Sequence, residues 1–332
     1  MNTFGLALRV SLWGESHGPA VGALLDGLPA GLPVDAAAIA AAMAERRPGP
    51  DGGPVSQRRE PDAVAIESGV HAGRTTGHPV LLRIANADAR PQDYAFPGPR
   101  PGHADFPESV RTGVVQPGGG HQSGRLTAPL VAAGALVAPL LARHGVTVAA
   151  RLQQVGEVCD DLAAMRARVE AARRAGDSVG GIVAFVAEGL PVGLGEPHLA
   201  GLEPHLGHLL LAVPGVKGVE FGHGFAAAAM AGSAHNDPYE PAAGGARPAS
   251  NHAGGALGGR ATGLPFTGRV AFKPASSIAL PQRTVDAAGQ PAEIQVGGRH
   301  DPCIAVRGTP VVAACVRLAV ADLLLARTDT LL

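Results

Sequence analysis

The sequence predicts an α+β chain built round a buried helix, and three observations carry that reading. From Ala128 to Ala142 no charged residue occurs, so a helix there has no face for solvent. Short runs rich in Val, Ile, Leu and Phe recur between Gly and Pro residues and read as strands. Between them lie segments with charges at helical spacing, from Asp35 to Arg47 and from Asp160 to Gly176.

With 332 residues, 46% of them hydrophobic and 17% charged, the chain can bury a large core as one domain or two. That composition with a net charge of −1 indicates neither disorder nor a general polyelectrolyte role on nucleic acid, so an anionic ligand must be held by a local cluster. Aromatic residues at 3% argue against base-stacking platforms. Only Lys217 and Lys273 are lysines, and the abundance of Ala, Gly, Pro and Arg is first a compositional bias. The position of an arginine therefore counts for more than the number of arginines. Cys159, Cys303 and Cys315 lack disulfide or zinc spacing, which points to a reducing cytosol. There is no charged segment followed by an apolar signal core at the N-terminus, and the apolar run near residue 128 is short and broken by Pro139, so a cytoplasmic protein with no membrane association is expected.

Taken in order, Phe4 to Val10 reads as a strand and Val21 to Leu25 as a second, with Gly14-Glu15-Ser16-His17-Gly18 on the tight loop between. A Ser-His pair on such a loop is more often a hydrogen bond than a nucleophile, which would need its base from elsewhere. Asp35 caps a helix that ends at Arg46-Arg47-Pro48-Gly49, followed by a mobile Pro/Gly-rich loop to Ser56 and by Gln57 to Asp62. Ala63 to Val70 and His78 to Ala85 read as strands, and Asn86 to Pro99 as an irregular segment. In Arg100 to Asp105, His103 and Asp105 could ligate a metal, fix a tautomer or simply meet in a turn; without a third ligand nearby, metal ranks last.

The centre of the chain is Gly118-Gly119-Gly120-His121-Gln122-Ser123-Gly124-Arg125. Three glycines allow positive φ and close approach to a ligand, and the helix start beyond turns N–H groups toward an anion. An isolated glycine turn would need none of the polar residues that this one carries. Thr127 is expected to cap the following helix, Pro139 to kink it and Gly145 to end it.

Val146 to Glu157 then reads as a strand, Asp160 to Gly176 as a charged helix, Gly180 to Ala187 as a strand and Leu202 to Leu211 as a helix entering Val213-Pro214-Gly215. Ala231 to Pro248 is expected to be a long loop and Ser250 to Gly259 a second glycine loop. A strand from Arg269 ends in Lys273-Pro274-Ala275-Ser276-Ser277, a candidate for a second anion or cofactor contact. Gly297 to Cys303 precedes a helix expected to start at Thr309-Pro310 and run to Arg327. Glycine-rich loops thus present His17, His103, His121, His252 and His300 along the whole chain, a set suited to an anionic substrate and proton transfer.

In order and spacing, Asn2 to Gly5, Gly14 to Gly18, Arg46 to Gly49, Gln57 to Asp62, Arg100 to Asp105, Gly118 to Thr127, Ser250 to Gly259, Lys273 to Ser277 and Gly298 to Cys303 resemble the chorismate synthase family, over nearly the full length. The resemblance implies one domain over residues 1–332, a β-α-β layered sandwich with buried core helices, and a homotetramer. It implies conversion of 5-enolpyruvylshikimate 3-phosphate to chorismate and phosphate by anti-1,4-elimination with reduced FMN. It further implies His17 as the acid beside the departing phosphate, His103 as the group acting on the flavin, and Asp301 on the proton path with Ser16 and Ser123. Flavin contacts implied in the same way are His121, Gln122, Ser123, Pro214, Gly215, Gly258, Lys273, Pro274, Ala275, Ser276, Ser277 and Arg299. Arg46, Arg100, Arg125 and Arg299 are candidates for the substrate's anionic groups, and Arg46 also for NADPH as a source of reducing equivalents.

The family's glycine loop commonly reads Arg-Ser-Ser-Ala-Arg, so here His121 puts a titratable group in place of a fixed charge. No part of the chain is left over for a flavin reductase, so an external reductase or reductant is expected. The alternatives are a non-catalytic flavin- or phosphate-binding relative, and a metal-dependent phosphatase using His103, Asp105, His300 and Asp301. No metal is expected.

Overall fold

The computed structural model describes residues 2–47, 61–88, 91–94, 96–243, 245–296 and 301–327. Two antiparallel five-stranded sheets enclose the central helices. The first comprises β1 (Thr3–Phe4), β2 (Arg9–Gly14), β3 (Ala20–Asp26), β4 (Val64–Ile66) and β5 (Val80–Ala85), in the order β1-β2-β3-β5-β4. The second comprises β6 (Thr147–Val155), β7 (Val158–Cys159), β8 (Gly181–Glu188), β9 (Val216–Phe221) and β10 (Phe266–Phe272), in the order β9-β10-β8-β6-β7. Burial alternates along β5, β8 and β10, so each sheet has one face on the core.

The helices are α1 (Ala36–Arg46), α2 (Asp105–Thr112), α3 (Thr127–Leu136), α4 (Ala138–Arg143), α5 (Leu162–Arg174), α6 (Leu202–Leu211) and α7 (Ile304–Ala326). α3 packs on β3 and β5 from one side and on α1 and α7 from the other, while α7 packs on β6, β8 and β10. The layers therefore run sheet, helices, sheet, and the buried side chains form one contiguous cluster. All ten residues of α3 are buried, as an uncharged helix requires. The apolar stretches ending at Arg143 and Ala326 are long enough to cross a membrane, yet most of each lies inside the fold.

Several expected boundaries move, each for a physical reason. The first strand is interrupted because the Asp322 carboxylate of α7 accepts the N–H groups of Leu6, Ala7 and Leu8 at 2.7–2.8 Å, which a continuous ladder would have used. Thr127 does not cap α3: its hydroxyl donates to the Gly124 carbonyl at 2.6 Å, and Ser123 accepts the Arg125 N–H in the turn before. α2 was not expected; Asp105 and Glu108 fill its first turn and Gly113 ends it at φ 75°. The segment from Ala231 to Pro248 is not an unstructured loop but holds a helical turn, Gly232–His235, and a hairpin of Tyr239–Ala242 with Gly245–Pro248. α7 begins at Ile304, so Pro310 lies inside it, and the Thr309 hydroxyl back-bonds to the Ala305 carbonyl at 3.1 Å.

Candidate active site

The glycine turn adopts the conformation its composition requires: Gly118, Gly119 and Gly120 have φ of 63°, 80° and 52°. It is stitched to the loop after β2, since Ser16 N–H reaches the Gly120 carbonyl at 3.1 Å and Ser16 Oγ the Gly118 carbonyl at 3.3 Å. A Cβ at Gly118 would stand 2.4 Å from Cδ2 of His17, so only glycine lets the turn lie against that imidazole. Two distant stretches are thereby joined at one wall of a cavity of about 540 Å³.

His17, His103, Ser123 and Asp301 all line this cavity, with Arg46, Arg100, Arg125, Gln122, Pro214, Gly215, Lys273, Ala275, Ser276 and Ser277. Seven cationic side chains, those of Arg46, Arg47, Arg100, Arg125, Arg307, Lys217 and Lys273, face four carboxylates, those of Asp62, Asp88, Asp105 and Asp301. With both histidines neutral the described lining carries three net positive charges, against −1 for the chain. Such a cavity selects a polyanion.

The carboxylates orient the guanidinium groups. Asp105 accepts Nε and Nη2 of Arg100, both at 2.7 Å, in a buried bidentate pair. Burial alone would raise the Asp105 pKa, but the Arg100 hydrogen bonds outweigh it and hold the carboxyl below its usual range. Asp62 pairs with Nη1 of Arg125 and stands 3.6 Å from Nη1 of Arg46. Arg46 also gives Nε and Nη2 to the Thr127 hydroxyl at 3.1 and 3.0 Å, yet its buried Nη1 makes no hydrogen bond. Burial first, and then the neighbouring Arg307, pushes Arg46 down to about 9, which leaves it charged at neutral pH. With Asp62 beyond hydrogen-bond reach at 3.6 Å, that charged N–H on the cavity wall can donate to an anion.

His103 is held at both nitrogens, Nδ1 at 3.0 Å from the Pro101 carbonyl and Nε2 at 2.9 Å from Ser277 Oγ. Burial, followed by Arg100, lowers its pKa, so the neutral ring donates from Nδ1 and accepts the Ser277 hydroxyl at Nε2. Lys273 Nζ reaches the Gly102 carbonyl and Ser276 Oγ, both at 2.7 Å. Gly102 leaves no room for a side chain there, because a Cβ would lie 2.6 Å from Ser276 Oγ. Ammonium, hydroxyls and close backbone make this wall a second anion or polar-ring contact.

Some sequence candidates stand elsewhere. His121 turns Nδ1 to the Gly14 carbonyl at 2.9 Å and, like Ser16 and Pro274, does not line the cavity, although each adjoins residues that do. Gly258 is exposed in the turn between Ala256–Leu257 and Arg260–Ala261, away from the lining. His252 packs with His223 and His235 instead, at ring-centroid distances of 4.8 and 6.1 Å. Arg299 and His300, and the expected loop from Gly49 to Ser56, lie outside the described residues. Among the described residues no cluster of metal-ligating side chains occurs, and both Asp105 oxygens are taken by Arg100.

The sequence reading missed Asp62 as the shared counterion, Lys217, Arg307 and Tyr94. Tyr94 sets its ring edgewise to His17 at 4.7 Å and lies under Arg100 at 5.4 Å. Only Asp62 had a signal, as the last residue of the Gln57 to Asp62 motif.

The family model described as chorismate synthase matches residues 8–325. The chorismate synthase of Roseiflexus castenholzii is 45% identical over 98% of this chain and 97% of its own. That of Bordetella pertussis is 44% identical, over 97% and 96%. A solved chorismate synthase crystal structure superposes with a TM-score of 0.75 at 24% identity, covering 97% of this chain and 93% of that one.

Proposed function

The chain belongs to the chorismate synthase family, and from that premise we propose that the cavity binds 5-enolpyruvylshikimate 3-phosphate beside reduced FMN. The enzyme is a carbon–oxygen lyase that forms chorismate and phosphate, a step of the shikimate pathway to aromatic amino acids. One observation carries the site assignment: His17, His103, Ser123 and Asp301, spread over 285 positions of sequence, line a single cavity with an excess of arginine and lysine.

The donor set suits the flavin. Lys273, Ser276, Ser277 and the backbone at Gly102 and Gly215 offer an ammonium, hydroxyls and close main-chain approach, and the open side of Gly119 has no atom within 4 Å of a Cβ. When bound, reduced FMN supplies an electron-rich ring that assists loss of phosphate with no net redox change. Arg46, Arg100 and Arg125 hold the phosphate and carboxylates, the unsatisfied Nη1 of Arg46 being the most exacting contact. His17 donates a proton to the departing phosphate oxygen. Neutral His103 acts through the Ser277 hydroxyl that it accepts. Asp301, with Ser123 on the same cavity wall, carries the ring proton away from the substrate, and Ser16 supports them from behind the lining through the Gly118 carbonyl. A cytoplasmic homotetramer supplied with reduced flavin by an external reductase, with NADPH as the ultimate reductant, completes the proposal.

The test is an anaerobic assay with dithionite-reduced FMN, following phosphate release and diene absorbance. Wild type turns over only with reduced flavin. His17→Ala and Asp301→Asn each lose about a hundredfold or more in kcat while still quenching flavin fluorescence. Near-normal rates in both variants would remove these roles, and quenching without turnover in the wild type would mark a binding protein.

A further inference from the structure

Arg307 lies in the first turns of α7 and lines the cavity. Its Nη1 donates to Oδ2 of Asp301 at 3.0 Å, and its Nε donates to the main-chain carbonyl of Arg46 at 3.0 Å. Both side chains of the ion pair are about four-fifths buried, at 21% and 18% exposure. One guanidinium therefore spans Asp301 and the last residue of α1, 261 positions away from it in the chain.

The contrast with Arg100 shows what this geometry does. Arg100 spends Nε and Nη2 on the two oxygens of one carboxylate, a closed fork that neutralises Asp105. Arg307 hydrogen-bonds Asp301 through Oδ2 and turns its second arm to a neutral carbonyl, so it ties the carboxylate to a fixed point of the framework. Asp301 lies outside the helix, three residues before α7 and two before its N-cap Cys303, so its side chain is placed by such contacts and not by helical geometry. The anchor is the carbonyl of Arg46, whose own side chain carries the unsatisfied donor in the cavity. One side chain thus links the anion-binding arginine to the proton-path carboxylate.

We propose that Arg307 is a positioning residue for the elimination, holding Asp301 in register with the substrate anchored at Arg46. The inference rests on the reading of Asp301 as part of the proton path. A carboxylate displaced by an ångström at such a site costs on the order of a hundredfold in rate. Ground-state binding, made by other groups, is spared.

The experiment compares Arg307→Ala, Arg307→Lys, Asp301→Asn and the Arg307→Ala/Asp301→Asn double variant in the anaerobic assay with reduced FMN, with thermal melts confirming that each is folded. Arg307→Ala is expected to lose about a hundredfold in kcat, with KM for the phosphorylated substrate and the Kd for FMN changed by less than about threefold. Arg307→Lys recovers part of the rate, as does methylguanidinium added to Arg307→Ala. The double variant falls no further than Asp301→Asn, because both changes break one unit.

Losses that multiply in the double variant overturn the proposal by showing that the two residues act independently, and a raised KM with kcat intact overturns it by showing that Arg307 binds the substrate directly. A slow Asp301→Asn beside a normal Arg307→Ala overturns the positioning role alone. A normal Asp301→Asn shows that the reading of Asp301 itself has failed, and the positioning role with it.

Discussion

Asp62 sits at φ 50°, a left-handed conformation that Asp tolerates better than most residues, and there it serves Arg46 and Arg125 at once. A single carboxylate thus sets two guanidinium groups that would otherwise repel across the cavity wall. Asp322 uses the same economy for stability. Wholly buried, it accepts three backbone N–H groups and stands 2.8 Å from His205 Nε2, pinning the N-terminal corner to α7. Burial would raise its pKa, but the His205 imidazole beside it and the hydrogen bonds from Leu8 and Leu6 prevail and hold it below the usual carboxylate range. Asp322→Ala leaves the buried Leu8 N–H without an acceptor and the half-buried Leu6 and Ala7 donors to water, and is expected to cost about 3 kcal/mol in urea denaturation. Because the folded pKa lies below that of the unfolded chain, this contribution is complete above about pH 4 and is lost as pH falls through the lower folded value. Wild-type stability should therefore fall more steeply in acid than that of Asp322→Ala; parallel pH curves would rule the clamp out.

Among the elements, α3 and α7 make the central contact, and Gly134 is where they meet. A Cβ on Gly134 would lie 2.5 Å from the Ala314 Cβ and 2.6 Å from its Cα, so the helices would have to separate. Alanine improves intrinsic helix propensity by about 1 kcal/mol, but forced separation of packed helices costs about 1–3 kcal/mol or more. Gly134→Ala is accordingly expected to lower the melting temperature, and a rise would show that the crossing relaxes freely. α7 also shows why element ends resist reading from local signals. Thr309-Pro310 has the form of a helix start, yet the helix runs through it, and the first turns that the local signal hides carry Arg307. α2 was hidden likewise, because Pro107 and Gly113 look like loop residues although each is allowed in a first turn or just beyond a last one.

For the whole molecule, the consequence of the layered fold is electrical. A chain with net charge −1 concentrates three net positive charges on the described lining of one cavity. Raising ionic strength from low salt to about 0.5 M should increase KM for the phosphorylated substrate severalfold, with kcat nearly constant, because screening weakens capture more than chemistry between buried groups. A KM indifferent to salt would mean that the arginines bind through short-range contacts alone.

The buried helix, the glycine turn, the Asp35 cap and the helix from Leu202 to Leu211 were all legible in the chain before any coordinate, and so was the family. Each rests on residues within a turn or two of one another, where periodicity and backbone sterics leave few choices. The pairing of Asp62 with Arg125 across 63 positions, and the span of Arg307 from Asp301 to Arg46, have no such local trace. Neither does the removal of His121 and Gly258 from the cavity lining. Which charges meet is decided by how the two sheets close on the helices, and Coulomb energies between side chains exist only once that packing has fixed the distances.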